Sequence, residues 1–217
     1  MIRQSSVKPA PASPSPPLVV IVDDDPAVRE SLDSLIRSVG LATRLFGAPA
    51  ELLQGALPDV PGCIILDVRL PGISGLDFQD QLARQGIALP IVFMTGHGDI
   101  PMTVRAMKAG AVDFLSKPFR DQEMLDAVTS AIERDRQRRS ATAALDDQRS
   151  AYATLTARER EVMTHVVAGL MNKQVAGMLG LSEITVKIHR GNVMRKMGVR
   201  TLADLVRTAE ALGVHKP

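Results

Sequence analysis

Cys63-Ile64-Ile65-Leu66-Asp67 is an unbroken apolar run closed by a single carboxylate, and Pro71-Gly72 punctuates the chain soon after. A short run of this kind predicts a strand buried on both faces, as in a parallel sheet. Open α/β folds keep their sites just beyond the carboxyl ends of such strands. From this stretch alone Asp67 has two readings, a site residue at the sheet edge or a turn residue that caps the next segment.

Four further strands are predicted. Leu18–Val22 ends in Asp23-Asp24-Asp25-Pro26, and Leu41–Phe46 follows a helix whose spacing runs through Val28, Leu32, Leu35, Ile36 and Val39 to Gly40. A short helix is predicted near Pro49–Gln54. Another runs from Ser74 to about Gln85, with Leu76, Phe78 and Leu82 at core positions. Ile91–Met94 ends in Thr95-Gly96-His97-Gly98. A helix from about Met102 to Ala109 leads to Val112–Leu115 and then Ser116-Lys117-Pro118-Phe119. Five strands alternating with helices predict an α/β, doubly wound, five-stranded parallel sheet with right-handed crossovers. Its carboxyl edge then collects Asp23, Asp24, Asp67, Thr95 and Lys117.

Converging carboxylates repel one another and need a cation. Oxygen-only ligands favour a hard ion such as Mg²⁺. His97 stands alone in its loop, where a polar loop role is expected rather than metal binding. Lys117 adds a fixed cation, and Thr95 adds a hydroxyl beside glycines that let backbone N–H groups approach an anion. A metal, an ammonium and a hydroxyl around one carboxylate suit phosphoryl transfer, with Asp67 as the in-line nucleophile.

Composition separates two halves. From Ala151 onward ten basic residues face five acidic ones, a net of +5, while the preceding part carries −3. The basic end points to a polyanion. No apolar run approaches membrane-spanning length and no signal core opens the chain, so no membrane partner and a cytoplasmic location are expected. Cys63, the single cysteine, is expected to be a core residue.

Residues 1–17, rich in Pro, Ser and Ala, are expected to be a disordered tail. Asp121 opens a helix with Met124, Leu125, Val128 and Ile132 at core spacing. After Glu133 the pattern turns polar all round, which predicts a solvent-exposed helical linker over 134–151. Its arginine run is open to a second reading, contact with DNA. Four short helices are then predicted. The first has a capping box from Thr156 to Glu159 and stops at Gly169; the second is Asn172–Leu179, ended by Gly180; Ser182 and Thr201 cap the third and fourth. Helix, tight glycine turn, helix is the helix-turn-helix pattern. On the third helix Val186, Arg190, Val193 and Met197 share the core side, and Ile184, Ile188, Gly191 and Arg195 share the other, with Lys187 on its flank. Bare isoleucines there suit thymine methyls, while Lys187, Arg195 and Lys173 suit phosphates.

These motifs carry a family resemblance. Val22-Asp23-Asp24-Asp25, Leu66–Gly72, Thr95–Gly98 and Lys117-Pro118-Phe119 resemble the receiver domain of two-component response regulators, over residues 18–133. Thr156–Glu161 and Thr185–Met197 resemble the LuxR-type DNA-binding domain, within residues 152–217. Together they look most like regulators of the FixJ/NarL type. The resemblance implies a flavodoxin-like receiver joined by a helical linker to a separate all-α, four-helix helix-turn-helix domain. It implies that Asp67 accepts a phosphoryl group from a sensor histidine kinase. Asp24, Asp67 and the Arg69 backbone carbonyl would ligate Mg²⁺, Asp23 would act through water, and Lys117 would pair with the phosphoryl group ahead of a cis Pro118. Thr95 and Phe114 would be the switch pair, Phe114 standing where many receivers have tyrosine. Lys187, Ile188 and Gly191 would face bases, and Thr185, His189 and Lys173 would touch the DNA backbone; Gly191 departs from a side chain often used for readout there. The implied partners are the kinase, double-stranded promoter DNA, RNA polymerase and, when phosphorylated, a second copy. Two other functions are weighed. A Mg²⁺-dependent phosphohydrolase needs a second carboxylate two residues after its nucleophile, where this chain has Arg69, so turnover is not expected. A phosphorylation-independent DNA binder would have little use for the full acidic constellation.

Overall fold

The computed structural model describes residues 15–96 and 100–214. Contacts divide the chain into two units, Met1–Arg138 and Arg139–Pro217. The first contains β1 (Leu18–Val22), α1 (Pro26–Ser38), β2 (Ala42–Phe46), α2 (Pro49–Gln54), β3 (Gly62–Asp67), β4 (Arg69–Leu70), β5 (Ile73–Ser74), α3 (Gly75–Arg84), β6 (Ile91–Thr95), α4 (Ile100–Lys108) and β7 (Asp113–Ser116). Helix α5 runs Asp121–Ala153. The second unit contains α6 (Ala157–Val167), α7 (Asn172–Leu179), α8 (Glu183–Lys196) and α9 (Leu202–Ala211).

Five strands form one parallel sheet in the order β2-β1-β3-β6-β7, as the alternation requires. Period-two alternation sorts its side chains between two cores. Val20, Val22, Ile64, Leu66 and Phe93 meet Leu52, Leu76, Phe78, Leu82 and Ala106 from α2, α3 and α4. Val19, Ile21, Cys63, Ile65, Val92 and Met94 meet Leu32 and Ile36 of α1 and Met124, Val128 and Ile132 of α5. Strands buried on both faces are therefore continuous apolar runs. Val39, placed by helical spacing on the core side, lies instead beyond the last turn of α1 and is exposed. The two-residue strands β4 and β5 form a small antiparallel ribbon; neither is long enough to show a period.

The exposed linker expected from Arg134 onward is corrected at one residue. Asp135 is fully buried, its Oδ2 accepts the Gly62 N–H at 3.1 Å, and Arg138 Nη2 donates to its Oδ1 at 2.7 Å. A buried polar side chain with dedicated partners leaves no apolar stripe, so periodicity is blind to it. The first unit accordingly extends to Arg138. Of the expected tail, residues 1–14 lie outside the described residues.

In the second unit Val162, Met163, Val166, Val175, Val186, Val193 and Leu205 share one core. Thr156 and Glu159 form the expected capping box, and Ser182 and Thr201 cap α8 and α9. Gly180, with φ +64, turns the chain between α7 and α8 in the left-handed region. Glu159 and Lys196 pair at 2.6 Å and tie α6 to α8. Among the described residues no helix is long and apolar enough to cross a membrane.

Candidate functional site

The parallel register brings the ends of β1, β3, β6 and β7 to one edge. Asp23 and Asp24 follow β1, Asp67 closes β3, Thr95 closes β6, and Lys117 follows β7. Asp23, Asp24 and Asp67 each offer a carboxylate oxygen within 4.8 Å of the other two. Lys117 Nζ donates to Asp23 Oδ2 at 2.7 Å and to Asp67 Oδ2 at 3.2 Å. Asp23 is fully buried, Asp67 is 8% exposed, and Asp24 is open to solvent. A solvent-open mouth over a buried floor admits a ligand without dissolving the ion pairs beneath it.

Burial pushes the Asp23 carboxyl up from its ordinary value, the Lys117 ammonium and the Asp25 N–H pull it back in part, and the Asp67 charge adds to the rise. Burial works against the Lys117 ammonium, but its bonds to Asp23 and Asp67 prevail and hold its proton more tightly than usual. One lysine against three carboxylates leaves the cluster short of positive charge. The cluster contains only oxygen donors, the ligand set of a hard divalent cation.

The surrounding residues fix this arrangement. Thr95 is fully buried, and its carbonyl accepts the Lys117 N–H at 2.7 Å. The Lys117–Pro118 peptide is cis. Asp67 Oδ1 accepts the Arg69 N–H at 3.2 Å, while Arg69 itself is exposed and pairs with Ser74 across the ribbon. Phe114 is half-buried, its ring 6.3 Å from that of Phe93 and tilted by 44°. His97 and Gly98 lie outside the described residues.

Two residues that shape this edge were not singled out from the sequence. A Cβ on Gly75 would sit 2.4 Å from the Asp67 carbonyl oxygen, so only glycine lets α3 start against the backbone of β3. Arg29 Nη1 donates to the Asp23 carbonyl at 2.5 Å. The Ile-Ser-Gly run before an apolar helix was a signal for the first; a single arginine in an amphipathic helix is none for the second.

In the second unit the side of α8 opposite the core is exposed, as its helical spacing predicts. Ile184 is 74% and Ile188 59% exposed, while Val186, Val193 and Met197 are buried. Lys173, Lys187, Gly191 and Arg195 are exposed as well, and Thr185 and His189 are half-buried. Arg190, assigned to the core side, is half-buried and donates to Asn172 Oδ1 at 3.3 Å. An exposed stripe of two isoleucines among cations suits a groove with an anionic rim.

Residues 19–129 match the family described as the response regulator receiver domain, and residues 153–209 match the luxR family of bacterial regulatory proteins. The chain belongs to the two-component response regulators of the FixJ/NarL type. This regulator is 61% identical over 197 residues to Nodulation protein W of Bradyrhizobium diazoefficiens, covering 91% of this chain and 87% of that one. It is 44% identical over 196 residues to the transcriptional regulatory protein FixJ of Azorhizobium caulinodans, covering 90% and 93%. Among solved structures it resembles the response regulator StyR with a TM-score of 0.79 at 47% identity, covering 90% of this chain and 99% of that one. The regulator is thus a phosphorylation-activated transcription factor, whose partners are a cognate histidine kinase and DNA. Its family consists of regulators rather than turnover enzymes. Its acidic cluster is of the kind in which receiver domains hold a divalent cation.

Proposed function

We propose that Asp67 is the phosphoacceptor of this regulator and that the cation is Mg²⁺. The carrying observation is the cluster itself: three carboxylates within 4.8 Å, with the Lys117 ammonium bonded to two of them. An Asp67 carboxylate oxygen forms the new O–P bond while the P–N bond to the donor imidazole breaks. The imidazole nitrogen keeps the electron pair and takes up a proton. Asp24, Asp67 and the Arg69 carbonyl would hold Mg²⁺, with Asp23 acting through water, and the bound ion supplies positive charge to the phosphoryl oxygens. Lys117 leaves its bond to Asp67 and pairs with the transferred group.

An aspartyl phosphate carries roughly −1.5 to −2 charge, where the free carboxylate carries a single one, and extends that charge further from the backbone. It draws in the Thr95 hydroxyl, and Phe114, lacking a phenol to bond outward, fills the vacated space. The neighbouring helix α4 exposes Ile100, Val104 and Met107, which supports dimerisation through this face on phosphorylation. Two copies then present two α8 helices to a two-fold promoter site. Lys187, Ile188 and Gly191 face bases; Lys173, Thr185, His189 and Arg195 meet the backbone. The functional domains are residues 18–138 and 152–217, the working location is the cytoplasm, and RNA polymerase is the partner at the promoter.

The test incubates the full chain with a small phosphodonor, with and without Mg²⁺, and follows intact mass, oligomeric state and DNA gel shift. Wild type gains one phosphoryl group only with Mg²⁺, dimerises and binds DNA more tightly; Asp67→Asn does none of these. Labelling of Asp67→Asn, or unchanged DNA binding by the labelled wild type, would overturn the assignment.

A further inference from the structure

Asp24 is held differently from the other two carboxylates. Asp23 receives N–H bonds from Lys117 and Asp25, and Asp67 receives bonds from Lys117 and Arg69. Among the described residues nothing donates to the Asp24 carboxylate, which is exposed. Its place beside Asp67 therefore depends on its backbone. The Asp23 carbonyl and the Asp24 N–H share one rigid peptide plane, so whatever fixes that carbonyl fixes the point from which the Asp24 side chain departs.

Arg29 is the side chain that fixes it. It lies in the first turn of α1, half-buried, and its Nη1 donates to the Asp23 carbonyl at 2.5 Å. The guanidinium is seated on Gly47, just past β2: a Cβ there would lie 3.5 to 3.8 Å from the Nη1, Cζ and Nη2 atoms. The Gly47 N–H is itself tied down, donating to Glu51 Oε2 at 3.0 Å. The other side of the same segment is pinned by the Asp23 N–H, which donates to the Phe46 carbonyl at 3.3 Å. The chain leaving β1 is thus clamped from both sides before it reaches Asp24.

From this arrangement we infer that Arg29 is a positioning residue for the divalent-cation site, acting through the Asp23–Asp24 peptide plane rather than by touching the ion. The inference rests on the cation reading above. It concerns a residue that lies outside the acidic cluster and outside every sequence motif of the site. Supporting groups behind a metal ligand typically govern about 10- to 100-fold of metal affinity, and a group acting through one peptide plane belongs near the lower end of that range.

The test measures Mg²⁺ binding to the unphosphorylated full chain by calorimetry, alongside thermal unfolding without Mg²⁺. Arg29→Met keeps an apolar stem of similar reach and removes the donor; Arg29→Lys keeps a donor. Arg29→Met should bind Mg²⁺ about 10-fold more weakly, with Arg29→Lys recovering most of the loss. Arg29→Gln, too short to reach the carbonyl, should match Arg29→Met and replaces it if that variant does not fold. Equal Mg²⁺ affinity in wild type and in the donor-free variants, or an equal loss in Arg29→Lys, overturns the role of Arg29. Absence of Mg²⁺ binding by wild type, with Asp24→Asn as the matched control, overturns the cation reading instead.

Discussion

The backbone N–H of Gly62 donates to Asp135 Oδ2 at 3.1 Å, joining the first residue of β3 to a helix residue 73 positions later. The opposite end of the same strand is Asp67. Gly62 has no room for a side chain, since a Cβ would lie 2.3 Å from the Leu18 carbonyl oxygen. The strand that carries the proposed phosphoacceptor is therefore fastened at its far end to the helix that leaves the receiver.

Removing that fastening should cost stability. Asp135→Ala leaves the Gly62 N–H buried without a partner, a loss of about 2 kcal/mol. Asp135→Asn keeps an acceptor and should lose about half as much. Urea unfolding of the full chain measures both; a midpoint unchanged in Asp135→Ala would show that the bond contributes nothing.

Gly75 sets a second requirement. The Cβ of Gly75→Ala would meet the Asp67 carbonyl oxygen at 2.4 Å and the Val68 Cα at 3.0 Å, both backbone atoms that no rotamer change can move. Overpacking of this kind costs about 1–3 kcal/mol. Labelling of Asp67 by a small phosphodonor should also slow, because relief of the clash displaces the residue that is labelled. Wild-type stability together with wild-type labelling would refute the close approach.

The second unit carries a pH dependence of defined sign. The Lys196 ammonium, foremost, and the Thr156 N–H hold the Glu159 carboxyl below its ordinary value of 4.5. The unfolded chain then binds this proton more readily than the folded one. The resulting stabilisation is complete above about pH 4.5 and is lost as the pH falls through the lower folded value. Unfolding midpoints measured from neutral pH down to about pH 3 should fall less steeply in Glu159→Gln than in wild type. Parallel pH profiles for the two proteins would remove Glu159 from the account.

Much of this molecule was legible without coordinates, because its signals are local. Leu18–Val22 and Ile91–Met94 read as buried strands, since both faces of a parallel sheet demand apolar residues. Asn172–Leu179 was bounded correctly by Gly180, whose φ of +64 suits glycine. The β4–β5 ribbon escaped because two residues cannot display a period. Asp135 escaped because a charged residue in a charged run looks solvated until a buried amide is found opposite it.

The sequence by itself determined the alternation of strands and helices, the caps of the last helices, and the set of strand-end residues that had to share one edge. The alternation and the caps depend on contacts within a few residues, where backbone geometry imposes a fixed period, and the shared edge follows from the alternation through the parallel topology it requires. Only the tertiary structure decided that Lys117 meets Asp23 across 94 positions, that Arg29 holds the Asp23 carbonyl, and that Asp135 anchors Gly62. Such pairings are fixed by how packed elements align in space, and a polar group with one distant partner imposes no periodic pattern on the chain around it.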